Sequence, residues 1–234
     1  MSVDAAAAPH ASAPAPWTLH GTGFILLYRF SREFLGSHGL LDEEALASFA
    51  GGFGAVMAVD YHDSPVGPYR ELLFIPGRFR TSAGKRHRIT RIYVSTEASV
   101  VNGRANWAIP KELAAFGWDR SGRTDEVTVT VDGKLLFSAR LRERALRFPL
   151  STALLPFPLA QRRGDDLLLT RFSGKGWARP VAVEELRTGE GFPALDGARP
   201  LLVLKVAPFT ITFPSARVVR AAVRAARPRA EAAV

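Results

Sequence analysis

Hydrophobic and polar positions along this chain set out a protein made mainly of strands. Phe24–Phe30 (FILLYRF) is a short apolar run bounded by Gly21 and Gly23 on one side and Ser31 on the other, which predicts a buried strand. Gly54–Tyr61 and Tyr69–Ile75 predict two more, the second closed by Pro76-Gly77. Arg86–Ser95 alternates through Ile89, Ile92 and Val94 and reads as one strand. Glu126–Val131 alternates cleanly and meets Lys134–Leu141 across Asp132-Gly133, a hairpin turn sequence. Asp166–Phe172, Arg179–Val183 and Leu201–Phe213 complete the set, the last interrupted at Pro208.

Helical signals are few. Asp42 is placed to cap DEEALASFA, with acids in the first turn and Gly51-Gly52 as the stop. Glu97–Asn102 reads as a short turn or helix ahead of Gly103-Arg104. Ser215–Ala226 reads as a C-terminal helix ended before Pro228, with Arg217, Arg220, Arg224 and Arg227 on one face. The prolines of Phe148–Pro158 predict a packed irregular connection. The fold class expected is strand-dominated α+β, without the βαβ alternation of a doubly wound sheet. Residues 1–16 are rich in Ala, Pro and Ser and are expected as a disordered leader. Residues 17–226 then form one domain and 227–234 a flexible tail.

Composition narrows the chemistry. At 234 residues with 47% hydrophobic and 23% charged positions, the chain can bury a core without staples. It has no cysteine, which excludes disulfides, thiolate metal sites and cysteine nucleophiles. The net charge of +9 favours anionic partners through long-range steering. No nucleic-acid motif accompanies that charge, so no nucleic-acid partner is expected. No apolar run approaches the ~20 residues of a membrane span, and no secretory signal is present, so a cytoplasmic protein without a membrane partner is expected. His10, His20, His38, His62 and His87 lack metal-binding spacing, and no metal is expected. The absence of a G-x-S-x-G elbow, a P-loop and a G-x-G-x-x-G turn argues against an α/β-hydrolase and a nucleotide cofactor.

One stretch remains, Val101–Trp118 (VNGRANWAIPKELAAFGW). It places Lys111, one of five lysines, among Trp107, Ile109, Leu113, Phe116 and Trp118. Apolar surroundings disfavour an ammonium, and the unprotonated amine is a nucleophile. Pro110 fixes its own φ and drives Ile109 towards an extended conformation. The plainer reading is a solvated turn whose lysine snorkels into water. Glu71 poses a similar choice within YRELLFI: it faces solvent, or it is buried with a partner. If Lys111 is that partner, amine and carboxylate form a pair suited to carbonyl chemistry. Tyr69 and Tyr93 lie in strands, where core or pocket wall is the ordinary role.

SPVGPYRELLFIPG around Glu71, RIYVSTEASVVNGR, and NWAIPKELAAF follow one another in an order that resembles the acetoacetate decarboxylase family, from roughly Gly21 to Phe213. The resemblance implies a mostly β, cone- or barrel-like fold, a homo-oligomer, and a lysine that forms a Schiff base with a β-keto acid without a cofactor. On the matching positions Lys111 is the Schiff-base lysine and Glu71 the active-site carboxylate. Tyr69, Tyr93, Trp107 and Met57 are expected to bind substrate, with Arg104, Pro110 and Glu112 as structural neighbours. Three positions depart from the family pattern. The family's second lysine is Glu112 here, its N-terminal arginine falls near Gly21, and a second pocket glutamate falls near Met57. A site without a carboxylate clamp suits a neutral or bulkier carbonyl compound. The expected function is a Schiff-base carbon–carbon lyase acting on a keto acid or other small carbonyl compound. The alternative is a non-catalytic protein of the same fold that binds a small ligand, with Glu112 holding Lys111 as an inert ammonium.

Overall fold

The computed structural model describes residues 11–144, 146–153 and 157–220. Runs rich in β-branched and aromatic residues form its strands, which in chain order are β1 (Trp17–Tyr28), β2 (Gly54–Asp63), β3 (Tyr69–Ile75), β4 (Arg78–Thr81), β5 (Gly84–His87), β6 (Arg91–Val94), β7 (Lys111–Leu113) and β8 (Ala115–Ser121). They continue as β9 (Thr124–Val131), β10 (Lys134–Glu143), β11 (Phe148–Ser151), β12 (Leu159–Arg163), β13 (Asp166–Thr170), β14 (Ser173–Thr188), β15 (Leu202–Phe213) and β16 (Arg217–Arg220). The helices are α1 (Arg32–His38), α2 (Glu43–Ser48) and α3 (Glu97–Trp107). Each starts at a capping side chain: Ser31, Asp42 and Thr96 accept from Phe34 N, Ala45 N and Ser99 N.

The main sheet runs β7-β6-β3-β2-β1-β15-β14-β10-β9-β8, with β11 added beside β14. A second sheet runs β16-β13-β12-β5-β4. The main sheet rolls up so that its two ends pack together over a core that includes Phe24, Leu26, Phe74, Val129 and Phe137. Its edge strands β7 and β8 are separated in sequence by Ala114 alone, so the chain steps directly from one edge to the other. The roll is therefore cone-like, with a seam at Ala114, but its ladder of strand pairing does not close into a barrel among the described residues. On the opposite face of β1, β2, β3 and β6 lies a second core, with Leu19, Val59, Leu73, Ile92, Trp107 and Leu159. That face is covered by α3 and by the second sheet, and it carries the candidate site.

Several expectations need correction. Arg86–Ser95 is two strands, because the chain leaves the second sheet after His87 and joins the main sheet at Arg91. The helix expected at Glu97–Asn102 continues to Trp107 and ends with Ala108 in the left-handed region at φ 53°. Part of the irregular connection, Phe148–Ser151, is strand β11, and Ser31 caps a helix, α1, that the pattern did not signal. The C-terminal helix is not present where the chain is described: Arg217–Arg220 is an antiparallel strand on β13, with Val218 opposite Leu168 and Val219 opposite Leu167. Two adjacent β-branched residues favour that pairing. The remainder of the expected helix and the tail from 227 lie outside the described residues. Of the expected leader, residues 11–16 are described and lie against α3, where Asn102 Oδ1 accepts from Ala13 N at 2.7 Å and Asn106 Nδ2 donates to Ala13 O at 2.8 Å.

Candidate active site

Lys111 is the first residue of β7, which pairs parallel to β6 with Lys111 opposite Ile92. The turn that delivers it is built by Ala108, whose N–H donates to Arg104 O, and by Ile109, whose carbonyl accepts from Lys111 N at 2.8 Å. Its alkyl stem passes over α3 at Gly103, where a Cβ would lie 2.7 Å from Lys111 Cδ and 2.8 Å from Cε. The side chain is 4% exposed.

The three N–H donors of an ammonium need three acceptors when water is excluded. Lys111 Nζ donates to Glu71 Oε2 at 2.9 Å, to Ser99 Oγ at 2.9 Å and to Tyr69 OH at 3.4 Å. It also lies 4.8 Å from the centre of the Tyr69 ring. Glu71 points inward because Glu71, Leu73 and Ile75 share one face of β3, and its side chain is buried at 6% exposure. Tyr61 OH approaches Glu71 Oε1 at 3.5 Å. Burial, and after it the negative Glu71, push the phenols of Tyr61 and Tyr69 well above the ordinary range, so both stay protonated.

An apolar cavity of about 160 Å³ lies over this face of the sheet. Glu71 and Tyr61 line it, and Lys111 is one hydrogen bond behind Glu71. Among the described residues the lining carries only two charged side chains, Glu71 inside and Lys175 at an exposed position on β14. No group of three or more His, Asp or Glu among the described residues could hold a metal ion.

The other expected site residues divide by face. Met57 lines the cavity. Trp107 stands behind Phe213, at 5.6 Å between rings, with its indole N–H donated to Pro214 O. Tyr93 is on the opposite face of β6 and donates to Gly191 O. Glu112, which follows Lys111, is turned the other way: it is exposed, pairs in register with Tyr93, and its charge raises the Tyr93 phenol after burial has done so. Arg104 and Pro110 are exposed. Gly21 has no room for a side chain, since a Cβ there would be 2.3 Å from Asp60 O.

Sequence reasoning missed Ser99, Gly103 as the bed of the lysine stem, and Tyr61. Ser99 and Gly103 fall one turn apart on α3, a spacing visible in EASVVNGR once that stretch is read as a helix.

A second buried lysine was also missed. Lys205 on β15 is 1% exposed and contacts Asp125 Oδ2 at 2.7 Å and Glu143 Oε1 at 2.9 Å. Arg120 and Arg179 complete the ion pairs of Glu143, and the Trp118 indole donates to Asp125.

A search of curated protein sequences finds no match. Solved structures are similar in fold at low identity. An acetoacetate decarboxylase from Legionella pneumophila subsp. pneumophila str. Philadelphia 1 is 16% identical, with TM-score 0.65 over 92% of this chain and 93% of that one. An acetoacetate decarboxylase-like enzyme from Sphingomonas wittichii RW1 is 14% identical, with TM-score 0.60 over 89% and 94%. The enduracididine biosynthesis enzyme MppR complexed with pyruvate is 16% identical, with TM-score 0.58 over 92% and 93%. Residues 4–188, most of the chain, match the family described as acetoacetate decarboxylase (ADC), and the chain belongs to that family.

Proposed function

We propose that this protein is an imine-forming carbon–carbon lyase in which Lys111 is the nucleophile and Glu71 moves the protons. The observation that carries the reading is the buried 2.9 Å contact between Lys111 Nζ and Glu71 Oε2 beside an apolar cavity. When a substrate expels water, passing the proton from ammonium to carboxylate cancels two charges that are costly to keep dry. The neutral acid then releases its hold on the amine and can turn aside. The amine adds to the carbonyl carbon, and Glu71 protonates the departing oxygen, which leaves as water. The product is a protonated imine beside a Glu71 carboxylate.

The iminium draws in the electron pair of the bond between its α and β carbons, which breaks to leave an enamine. If the β carbon carries a hydroxyl, Glu71 takes that proton. If the leaving group is a carboxylate, carbon dioxide departs. Glu71 or water then protonates the enamine carbon, and hydrolysis returns Lys111. The lining supports a neutral carbonyl substrate over acetoacetate. Gly21 cannot carry a cationic side chain, and Lys175 is the cavity's only cation among the described residues.

A second reading is favoured by two observations. The ammonium of Lys111 already has three acceptors, and the lysine is not on the cavity wall. In that reading the cavity binds a small ligand without turnover. Incubation with an aromatic aldehyde and borohydride, followed by intact mass and peptide mapping, separates the two. A reduced adduct on Lys111, absent in Lys111→Ala, is the expected result. Wild-type protein that stays unmodified decides for the ligand-binding reading.

A further inference from the structure

The cavity has a direction. Across the main sheet, Glu71 is paired with Val59, Val59 with Gly23, and Gly23 with Val206. These four positions all line the cavity, and after Glu71 the row holds only small side chains. The neighbouring rows are tall. Tyr61 and Phe209 flank it on one side, opposite Gly21 in the strand between them. Met57 and Leu204 flank it on the other, paired through Ile25. Side chains stand roughly perpendicular to a sheet, so low residues between tall ones leave a trough. Its lowest point is Gly23, where the strands approach so closely that a Cβ would lie 3.0 Å from Ala58 O.

Three strand spacings separate Glu71 from Val206, about 14 Å along the sheet. Beyond Val206 the cavity reaches Gly176 and the exposed Lys175 on β14. Among the described residues nothing charged lines it between Glu71 and that rim. Its 160 Å³ is close to the ~150 Å³ of an apolar cavity known to stay dry and take up benzene.

We infer that the substrate is a carbonyl compound with an unbranched or aromatic hydrocarbon tail, the carbonyl at Glu71 and Lys111 and the tail in the trough over Val59, Gly23 and Val206. The placement of the carbonyl rests on the imine reading above; the placement of the tail rests on the trough alone. The tail is the part of the ligand that fills the apolar lining beside the buried Lys111–Glu71 pair. A two- or three-carbon carbonyl compound would leave most of the trough unfilled.

The experiment has two arms. In the first, borohydride trapping on Lys111 is titrated with acetaldehyde, butanal, hexanal and octanal. Half-saturation is expected to fall by up to about fourfold per added methylene and to level off where the tail meets the Lys175 rim. In the second, 2-butanone, 2-hexanone and 2-octanone displace an environment-sensitive apolar dye, which needs no covalent step. The same rise in affinity with length is expected. Val206→Phe fills the trough and should lower the long-to-short ratio in both arms. Met57→Gln, at a half-buried position, should lower it as well and covers the case in which Val206→Phe does not fold. A flat length series in the dye arm, or a ratio unmoved by either folded variant, overturns the tail assignment. A rising dye series without any Lys111 adduct sustains the tail assignment and sinks the imine reading instead.

Discussion

Gly103 and Lys111 occupy one another's space: the lysine stem lies where a Gly103 side chain would begin, 2.7 Å from Cδ to the position of a Cβ. The amine can reach Glu71 only because the helix beneath it has no side chain at that point. Gly103→Ala should push the stem away from α3. A displacement of about 1 Å at a reacting group can cost on the order of a hundredfold in rate. The expected outcome is aldehyde trapping slowed by at least about tenfold, with the fold retained by circular dichroism. Trapping at the wild-type rate would mean that the stem has another path.

Glu112 gives the opposite expectation. It is exposed and lies on the other face of β7 from Lys111, so solvent screens it from the amine. Glu112→Lys should alter the pH profile and rate of Lys111 trapping by no more than about twofold, the size of an ordinary surface change. A large gain in trapping would show that the residue after the nucleophile acts on it through space.

Lys205 tests the other buried cation. Asp125 and Glu143 are both buried, and removing Lys205 leaves their charge short of a partner. Lys205→Met should cost about 3–5 kcal/mol in urea unfolding, the usual penalty for breaking a buried ion pair. Lys205→Met combined with Asp125→Leu should recover part of it, since an apolar replacement of the pair is tolerated. The surviving native fraction of either variant should still trap aldehyde at Lys111. A single variant as stable as wild type would mean that the arginines alone balance Glu143.

His87 predicts a pH dependence. Its ring is packed 4.6 Å from that of Phe157, its Nδ1 has no hydrogen-bond partner among the described residues, and burial pulls its imidazole from 6.5 down to about 4. The unfolded chain therefore binds a proton at a higher pH than the folded one. The resulting stabilisation is complete above about pH 6.5 and is lost as the pH falls towards about 4. Urea midpoints measured from pH 7.5 to pH 4.5 should fall steadily for the wild type, and less for His87→Phe. Equal slopes would remove His87 from the account.

Of the strands that build the site, β2 and β3 were readable because their pattern is local, whereas β7, which begins at Lys111, is three residues long and gave no signal. Tyr69–Ile75 has the bounds the sequence suggests, but Leu72, Leu73, Phe74 and Ile75 are all apolar, so the run left open which way Glu71 faces, and only the fold turns it to the covered side. The helix α3 was harder to read because its buried face is Ser99, Asn102, Gly103 and Trp107, which gives no apolar stripe. Those same polar and small residues serve the lysine and the segment at Ala13, so the signal was lost where the site needed it. Lys205 was hidden differently. Within LLVLKVAPF it looks like one charge in a strand, and its partners Asp125 and Glu143 come from β9 and β10, far away in sequence. Arg217–Arg220 shows the limit of helical periodicity: spaced arginines fit a helix, but Val218-Val219 found an open strand edge at β13. Short helices without a broad apolar face are marginal by themselves.

The placement of β1 between β2 and β15 bears on how the protein is made. Gly23 receives Val59 from a neighbour translated soon after it and Val206 from one translated near the end of the described chain. Lys111, Glu71 and Ser99 all precede β15 in the chain, and until β15 is made β1 has an open edge, which is prone to pair with the wrong strand. In chain order the amine comes first and the strand that closes its trough comes last. A chain that ended before residue 202 would lack Leu204, Val206 and Phe209 from the binding wall, so the full trough requires β15.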